Sequence, residues 1–244
     1  MPLCESQKQL NLGNSVSNLN KLLIANRGEI AIRITRAAQE LGLTAVAIYP
    51  EDDAQSLHVR LADEAVLLEG RGASAYLGIA QIVQLAKDAG CDGVHPGYGF
   101  LSENANFAAA VEAANMTFIG PSVAALDAFG DKAKARALAQ ACDVPVVAGL
   151  SEAISIEQAQ AFFAAHADSG ILLKAIAGGG GRGMRIVRSA DELVDAFTRC
   201  QSEALAAFGN DGLYAEQLVA SPRHIEVQII GDGSGAVSHI WERE

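Results

Sequence analysis

A lysine followed four residues later by four consecutive glycines is the strongest chemical signal in this chain. Lys174 to Met184 reads K-A-I-A-G-G-G-G-R-G-M, with Gly178 to Gly181 bare of side chains and Arg182 directly behind them. Such a backbone can bring its N–H groups close to an anion, and the basic residues at its edges carry charge of the right sign. The apolar runs Ile171–Leu173 and Met184–Val187 predict a strand on either side. The glycines then form a flap between two strands, suited to cover a polyphosphate. A P-loop would end in Gly-Lys-Ser/Thr and open straight into a helix. Here the next helix waits for Ser189, which forms a capping box with Glu192. Read in isolation, the loop favours nucleotide binding only modestly over the alternative, a plain surface hairpin without a ligand.

Other residues suit the same chemistry. Lys132 and Lys174 are candidate phosphate ligands, because an ammonium is a compact point charge for phosphate oxygens. Lys134, close to Lys132, favours a merely solvated pair there. Glu216, Gln217, Leu218 and Val219 follow a predicted strand and precede Ser221-Pro222-Arg223-His224, a hinge whose backbone groups suit a purine edge. His224 alone reads as an ordinary structural histidine. The run H-P-G-Y-G-F-L-S-E-N, His95 to Asn104, lies just past a predicted parallel strand, where open α/β sheets carry ligand loops. There His95, Ser102 and Glu103 face a cleft, or Ser102 simply caps the next helix; the residues do not decide between the two. Asn26-Arg27-Gly28-Glu29 lacks the G-x-G-x-x-G of a dinucleotide site, so Glu51-Asp52-Asp53 is not read as its ribose carboxylate.

The elements that position these groups fall into two rhythms. Strands are predicted at Lys21–Ala25, Thr44–Tyr49, Ala65–Leu68, Asp92–Val94 and Met116–Ile119. Helices alternate with them: one N-capped by Asn26 and ending near Gly42, one over Tyr76–Ala89 and one over Glu103–Ala114. That alternation predicts a parallel α/β sheet. The second half differs. A helix over Asp131–Ala141 stops before Val144-Pro145. It is followed by a helix with a Ser155/Gln158 capping box, the glycine-loop hairpin, the Ser189 helix and a strand over Leu213–Gln217. Two helices on a small antiparallel sheet make an α+β module. His224–Ile230 and Ala236–Trp241 then form a hairpin around Gly231–Gly235.

Composition narrows the class. The 244 residues are half hydrophobic, enough for one or two domains with real cores. A net charge of −11 argues against a general nucleic-acid or anionic-membrane binder. Four scattered cysteines without a C-x-x-C pair predict inert thiols rather than disulfides or zinc. No stretch is apolar for long enough to span a bilayer. Met1 to Asn20 is polar, with neither a signal-peptide core nor transit-peptide arginines, and reads as a disordered tail on a cytoplasmic protein.

With these residues in place, the chain from Lys21 onward resembles biotin carboxylase, an ATP-grasp ligase. K-L-L-I-A-N-R-G-E-I-A-I-R, L-H-V-R-L-A-D-E-A, H-P-G-Y-G-F-L-S-E-N, F-I-G-P-S, G-D-K, G-G-G-G-R-G-M and P-R-H-I-E-V-Q resemble that family's signatures, in its order. The resemblance implies a Rossmann-like N-terminal α/β domain over residues 21–129 and a helical linker over 130–145. It also implies an ATP-grasp lid over 146–218 and the start of a C-terminal ATP-grasp subdomain over 219–244. Lys132 and Lys174 would contact ATP phosphates, with Gly180 and Gly181 holding them through the backbone. Glu216, Gln217, Leu218 and Val219 would flank adenine, with His224 nearby.

The implied reaction is ATP- and bicarbonate-dependent carboxylation of biotin on a carrier protein, with magnesium. The implied partners are a biotin carboxyl carrier, a carboxyltransferase and, at full length, a second copy. Ala177 and Gln217 depart from the family's common glycine and lysine. The magnesium-binding glutamates, bicarbonate arginine and general base belong to a part of the family that this sequence lacks. No catalytic base or metal ligand is therefore assigned, and the isolated chain is expected to be inactive. Two other readings are carried: a carbamoyl-phosphate synthase large-chain relative, disfavoured by H-P-G-Y-G-F-L-S-E-N, and a non-catalytic nucleotide-binding or assembly module.

Overall fold

A computed structural model describes residues 19–130, 132–150, 152–176, 183–232 and 234–244, with the backbone alone at Lys132 and Ala133. Gly180 and Gly181 lie outside the described residues, as do residues 1–18. The chain divides after Gly130 into two units.

The first unit runs β1 (Lys21–Ile24), α1 (Gly28–Glu40), β2 (Thr44–Pro50), α2 (Leu57–Leu61) and β3 (Glu64–Leu68). It continues through α3 (Ile79–Asp88), β4 (Gly93–His95), α4 (Ala105–Ala113), β5 (Thr117–Phe118) and α5 (Val123–Gly130). All pairings are parallel, in the order β3-β2-β1-β4-β5. The predicted parallel α/β sheet is therefore present. Successive residues of β1 serve opposite faces: Leu23 joins a core with Ile82, Phe107 and Val111, while Leu22 and Ile24 pack with Ile34 and Ala38. A sheet covered on both sides needs an unbroken apolar run, which is why β1 shows no polar alternation after Lys21. Strand order reverses at β1, with β2 on one side and β4 on the other, so the loops after β1 and β4 border a crevice. Asn20 is tied in ahead of β1: its N–H donates to Asp92 Oδ2 (2.8 Å) and its carbonyl accepts from Thr44 N–H (2.8 Å).

Some boundaries differ from expectation. The helix predicted from Tyr76 is interrupted at Gly78: a 3₁₀ turn over Gly72–Leu77 buries Tyr76 before α3 begins. Asn104, not Ser102, caps α4, its Oδ1 accepting from Phe107 N–H at 3.0 Å. Helix α5 was not foreseen, because V-A-A-L-D-A-F-G carries too few polar residues to show a face.

The second unit runs α6 (Lys132–Ala141), β6 (Gly149–Leu150), α7 (Ile156–Ala165), β7 (Ile171–Ala175) and β8 (Met184–Val187). Then come α8 (Ala190–Phe208), β9 (Leu213–Gln217), β10 (Glu226–Gly231) and β11 (Val237–Arg243). Its four-stranded sheet is antiparallel in the order β6-β9-β7-β8, and β10-β11 form a separate hairpin with a bulge between Val227 and Ile229. Ile171, Leu173 and Ala175 share a core with Phe163, Leu193 and Phe197 of α7 and α8. Each large apolar side chain so buried contributes about 1.5–3 kcal/mol. The Ser155 box is formed: Gln158 N–H reaches Ser155 Oγ (3.3 Å) and Ser155 N–H reaches Gln158 Oε1 (2.8 Å). At the start of α8, Glu192 Oε1 accepts from Ser189 N–H at 2.9 Å. Helix α8 ends at Gly209, whose φ of 70° suits the left-handed cap. Among the described residues no helix is long and apolar enough to cross a membrane.

Candidate functional site

Because Ile171, Leu173 and Ala175 turn toward the helices, Leu172 and Lys174 must point to the other face of the sheet. The register sets Lys174 opposite Tyr214 and Leu172 opposite Glu216, bringing a cation, a phenol and a carboxylate together on that face. Lys174 Nζ donates to Glu216 Oε2. Arg136 of α6 approaches Glu216 Oε1 at 3.4 Å and donates through its other Nη to the Val147 carbonyl at 2.7 Å. Lys174 Nζ also stands 5.9 Å from the centre of the Tyr214 ring. Burial, reinforced by the Glu216 charge, pushes the Tyr214 hydroxyl far above its ordinary pKa, so it stays protonated. The ammonium is only half-buried, and most of its donor capacity is unspent among the described residues.

Beside this cluster the chain leaves β9 along Leu218 to Pro222. Two amides here are engaged: Gln217 N–H donates to Ala148 O (2.8 Å) and Leu218 N–H to Gly170 O (3.0 Å). Val219 N–H has no acceptor among the described residues. It borders a cleft of about 550 Å³ lined mainly by Leu172, Met184, Ile186, Leu218, Val219 and Pro222. An apolar slot edged by an open backbone donor can hold a flat heteroaromatic ring. The Gln217 side chain donates to Ser169 Oγ, on the lining of the same cleft, at 3.3 Å.

The remaining sequence candidates scatter. The Lys132 backbone opens α6, and its side chain lies outside the described residues. His224 is highly exposed, its Nε2 3.3 Å from Glu226 Oε2, and it does not line the cleft. Where the glycine loop returns, Gly183 (φ +66°) lies so close that a Cβ would meet Ala175 Cβ at 2.9 Å. The Gly183 carbonyl accepts from Ala175 N–H (2.8 Å) and the buried Cys200 thiol (3.2 Å). Sequence reasoning missed Arg136 and Tyr214. The signal for Arg136 was its i+4 spacing in the sequence from Lys132, already a candidate.

In the first unit the crevice loops are locked. Asn26, predicted as the α1 cap, is 2% exposed and bridges the loop instead, its Nδ2 donating to Pro96 O (2.7 Å) and Tyr98 O (2.8 Å). Arg27 takes the cap position of α1 without a side-chain capping bond. His95 Nδ1 accepts from Gly97 N–H at 3.0 Å, and burial holds its pKa below the ordinary imidazole value. The Tyr98 hydroxyl donates to Glu29. Asp53 accepts from Arg27 Nη1 and the Tyr76 hydroxyl, each at 2.9 Å, so the acidic trio after β2 is structural at this position.

Residues 18–126 match the family of the biotin carboxylase N-terminal domain, and residues 131–244 match that of the carbamoyl-phosphate synthase L chain ATP-binding domain. The mitochondrial pyruvate carboxylase of Rattus norvegicus is 51% identical over 230 residues, covering 93% of this chain and 19% of that protein. The pyruvate carboxylase of Bacillus subtilis is 50% identical over 233 residues, covering 94% and 20%. The chain thus spans about a fifth of the length of these curated relatives. Among solved structures, the biotin carboxylase domain dimer of Hydrogenobacter thermophilus 2-oxoglutarate carboxylase, with MgADP, ADP and bicarbonate, superposes with a TM-score of 0.88. It is 42% identical and the match covers 92% of this chain and 49% of that one. Biotin carboxylase from Campylobacter jejuni in its β-γ-ATP complex gives 0.87 at 42% identity, covering 92% and 50%. The chain therefore carries a biotin carboxylase N-terminal domain over residues 18–126, followed by an ATP-binding domain over residues 131–244.

Proposed function

We propose that this chain is the ATP-binding part of a biotin carboxylase, which uses ATP and bicarbonate to carboxylate biotin on a carrier protein through carboxyphosphate. The observation that carries the reading is the half-buried Lys174 ammonium on the open sheet face, next to an apolar slot edged by the Val219 amide, which has no acceptor among the described residues. Adenine lies in the slot against Leu172 and Met184, with the main chain of Glu216 to Val219 along its edge. Lys174 neutralises phosphate oxygens, joined by Lys132 and by the backbone of Gly180 and Gly181. His224 stands near the nucleotide. Within this reading, residues 21–129 are the N-terminal domain, 130–145 a linker, 146–218 the lid and 219–244 the start of the C-terminal ATP-grasp subdomain.

The chemistry asks little covalent work of the protein. Bicarbonate oxygen attacks the γ-phosphorus of ATP, ADP leaves, and the carboxyphosphate formed is a better electrophile than bicarbonate. Biotin nitrogen then bonds to the carboxyl carbon as its C–O bond to phosphate breaks, and the N–H proton leaves with the departing phosphate. Catalysis is positioning and charge neutralisation, and the intermediate must be kept from water, which a closing glycine lid achieves. Among the described residues no three His, Cys, Asp or Glu side chains gather as a metal site would need, and Glu216 is committed to two cations. A carrier, a carboxyltransferase and a second copy are the partners that this function calls for. The biotin carboxylase match over the first unit favours this reading over carbamoyl-phosphate synthesis.

Calorimetric titration of the chain with Mg-ATP should show saturable binding that Lys174→Met weakens, with no turnover by the chain alone. In the full-length parent, ATP hydrolysis should require bicarbonate and rise with biotin. Turnover indifferent to bicarbonate, or dependent on ammonia, would overturn the proposal.

A further inference from the structure

We infer that Arg136 is a positioning residue for Lys174, acting through Glu216 to keep the ammonium available to phosphate. The inference rests on the nucleotide reading above. Three side chains form a chain of contacts: the Arg136 guanidinium at Glu216 Oε1 (3.4 Å), the Glu216 carboxylate, and Lys174 at Glu216 Oε2. Their side-chain exposures are 12%, 15% and 22%, low enough that water screens them weakly. With Glu216 alone beside it, Lys174 would form a closed neutral pair, and an incoming phosphate would have to compete with the carboxylate. With Arg136 on the second oxygen, the three groups carry a net single positive charge and the carboxylate's demand is divided.

The local structure is built to hold Arg136 in that place. Its other Nη donates to the Val147 carbonyl at 2.7 Å, so the rigid guanidinium fork is fixed at two acceptors. Gly149 lies where a Cβ would come within 3.2 Å of Arg136 Nη2 and 2.8 Å of the Ala215 carbonyl, so only glycine lets the fork pass.

A structural role and a positioning role separate by ligand. Adenosine uses the slot but brings no phosphate; ATP uses both. Calorimetry on the whole chain carrying Arg136→Met should show ATP dissociation raised about tenfold, the order expected for one nearby unit charge at partial screening. Adenosine affinity should stay within the error of wild type. Adding Arg136→Met to a Lys174→Met background should leave ATP affinity unchanged, and Arg136→Lys should recover part of the loss. Should Arg136→Met fail to fold, Arg136→Lys keeps the charge and loses the fork, and a small ATP-only loss is then expected. Equal weakening of ATP and adenosine, or an Arg136 effect that persists without Lys174, would overturn the inference. So would wild-type ATP affinity in Arg136→Met. Wild-type chain that binds no ATP would instead bring down the nucleotide reading itself.

Discussion

Asn26 lies just past the end of β1 and Lys174 near the end of β7, and both are polar side chains at the ends of strands. Their hydrogen bonds differ in what they leave over. Asn26 is spent: Nδ2 serves two carbonyls, Oδ1 accepts from Arg27 N–H at 2.8 Å, and the side chain is sealed from water. Lys174 meets a single carboxylate and keeps donors in hand. A saturated polar group fixes the chain; an unsaturated, half-exposed cation is ready for a ligand. By that measure the crevice of the first unit is a structural lock, and the open sheet face of the second unit is the candidate site.

The largest effect should come from breaking the lock. Asn26→Ala strands the Pro96 and Tyr98 carbonyls and removes a buried bridge between the loops after β1 and β4. A loss of about 3 kcal/mol in the first unit is expected, since each buried polar group left unpaired costs about 1–3 kcal/mol. Urea unfolding with hydrogen exchange read unit by unit checks this: protection should fall over β1 and β4 and hold over β7 and β9. If Asn26→Ala left stability intact but weakened ATP binding, the contrast between the units would collapse.

Next in size is Lys174→Met. Removing the charge-assisted contact to phosphate should raise the ATP dissociation constant about a hundredfold, in line with the roughly 1.5–3 kcal/mol of a hydrogen bond to a charged group. Thermal stability should change little, because a partly exposed ion pair contributes on the order of 1 kcal/mol or less. Large destabilisation with unchanged nucleotide affinity would make Lys174 another structural residue, the equal of Asn26.

Much of this contrast was legible in the sequence, and the part that was not has a common cause. The period-two pattern of β7 and β8, the run of β1 and the Ser155 and Ser189 starts are local signals, and local signals survive folding. Lys174 was found because it abuts the glycine run. Asn26 was misassigned because N-x-x-E ahead of an apolar stripe spells a helix cap; its actual partners, Pro96 and Tyr98, are some 70 residues away. Arg136 and Tyr214 escaped notice for the same reason: they matter through Glu216 and Lys174, partners that only the sheet register supplies. Helix α5 and the 3₁₀ turn at Tyr76 were missed for want of a polar face and a cap.

Acid should sharpen the difference between the units more gently. His58 is 1% exposed, and neither ring nitrogen makes a well-formed hydrogen bond among the described residues. Burial pushes its pKa below the ordinary imidazole value, so the neutral form is favoured in the fold. Its contribution is full above about pH 6.5 and is lost as pH falls through the lower folded value. Asp53 follows at lower pH. Burial pushes its carboxyl up, but the Tyr76 hydroxyl and Arg27 together outweigh that and hold it below the usual range. Its share is full above about pH 3.9 and fades below. The first unit should therefore lose stability in two acid steps. His58→Leu should shrink the upper step, which His95 shares, and Asp53→Asn should remove the lower, as read by urea midpoints between pH 7 and 3. A first unit equally stable at pH 7 and pH 5 would contradict the role given to His58.

The smallest expected effect is the most pointed test of the site. Gln217 stands at the edge of the proposed adenine slot, where the resemblance noted in the sequence implies a lysine as the common residue. Its main chain is pinned to Ala148 by a 2.8 Å bond, and its side chain donates to Ser169 Oγ at 3.3 Å. If adenine is read by the backbone of residues 216–219, the side chain at 217 is incidental. Gln217→Lys should then shift stability by no more than about 0.5 kcal/mol, as for an ordinary surface change. ATP and adenosine affinities should move together by no more than about twofold, since a flexible exposed ammonium is screened. A tenfold gain for ATP with none for adenosine would mean that the new lysine reaches phosphate. The nucleotide would then lie along the sheet in a different direction from the one proposed, and Lys174 would no longer be its main cation.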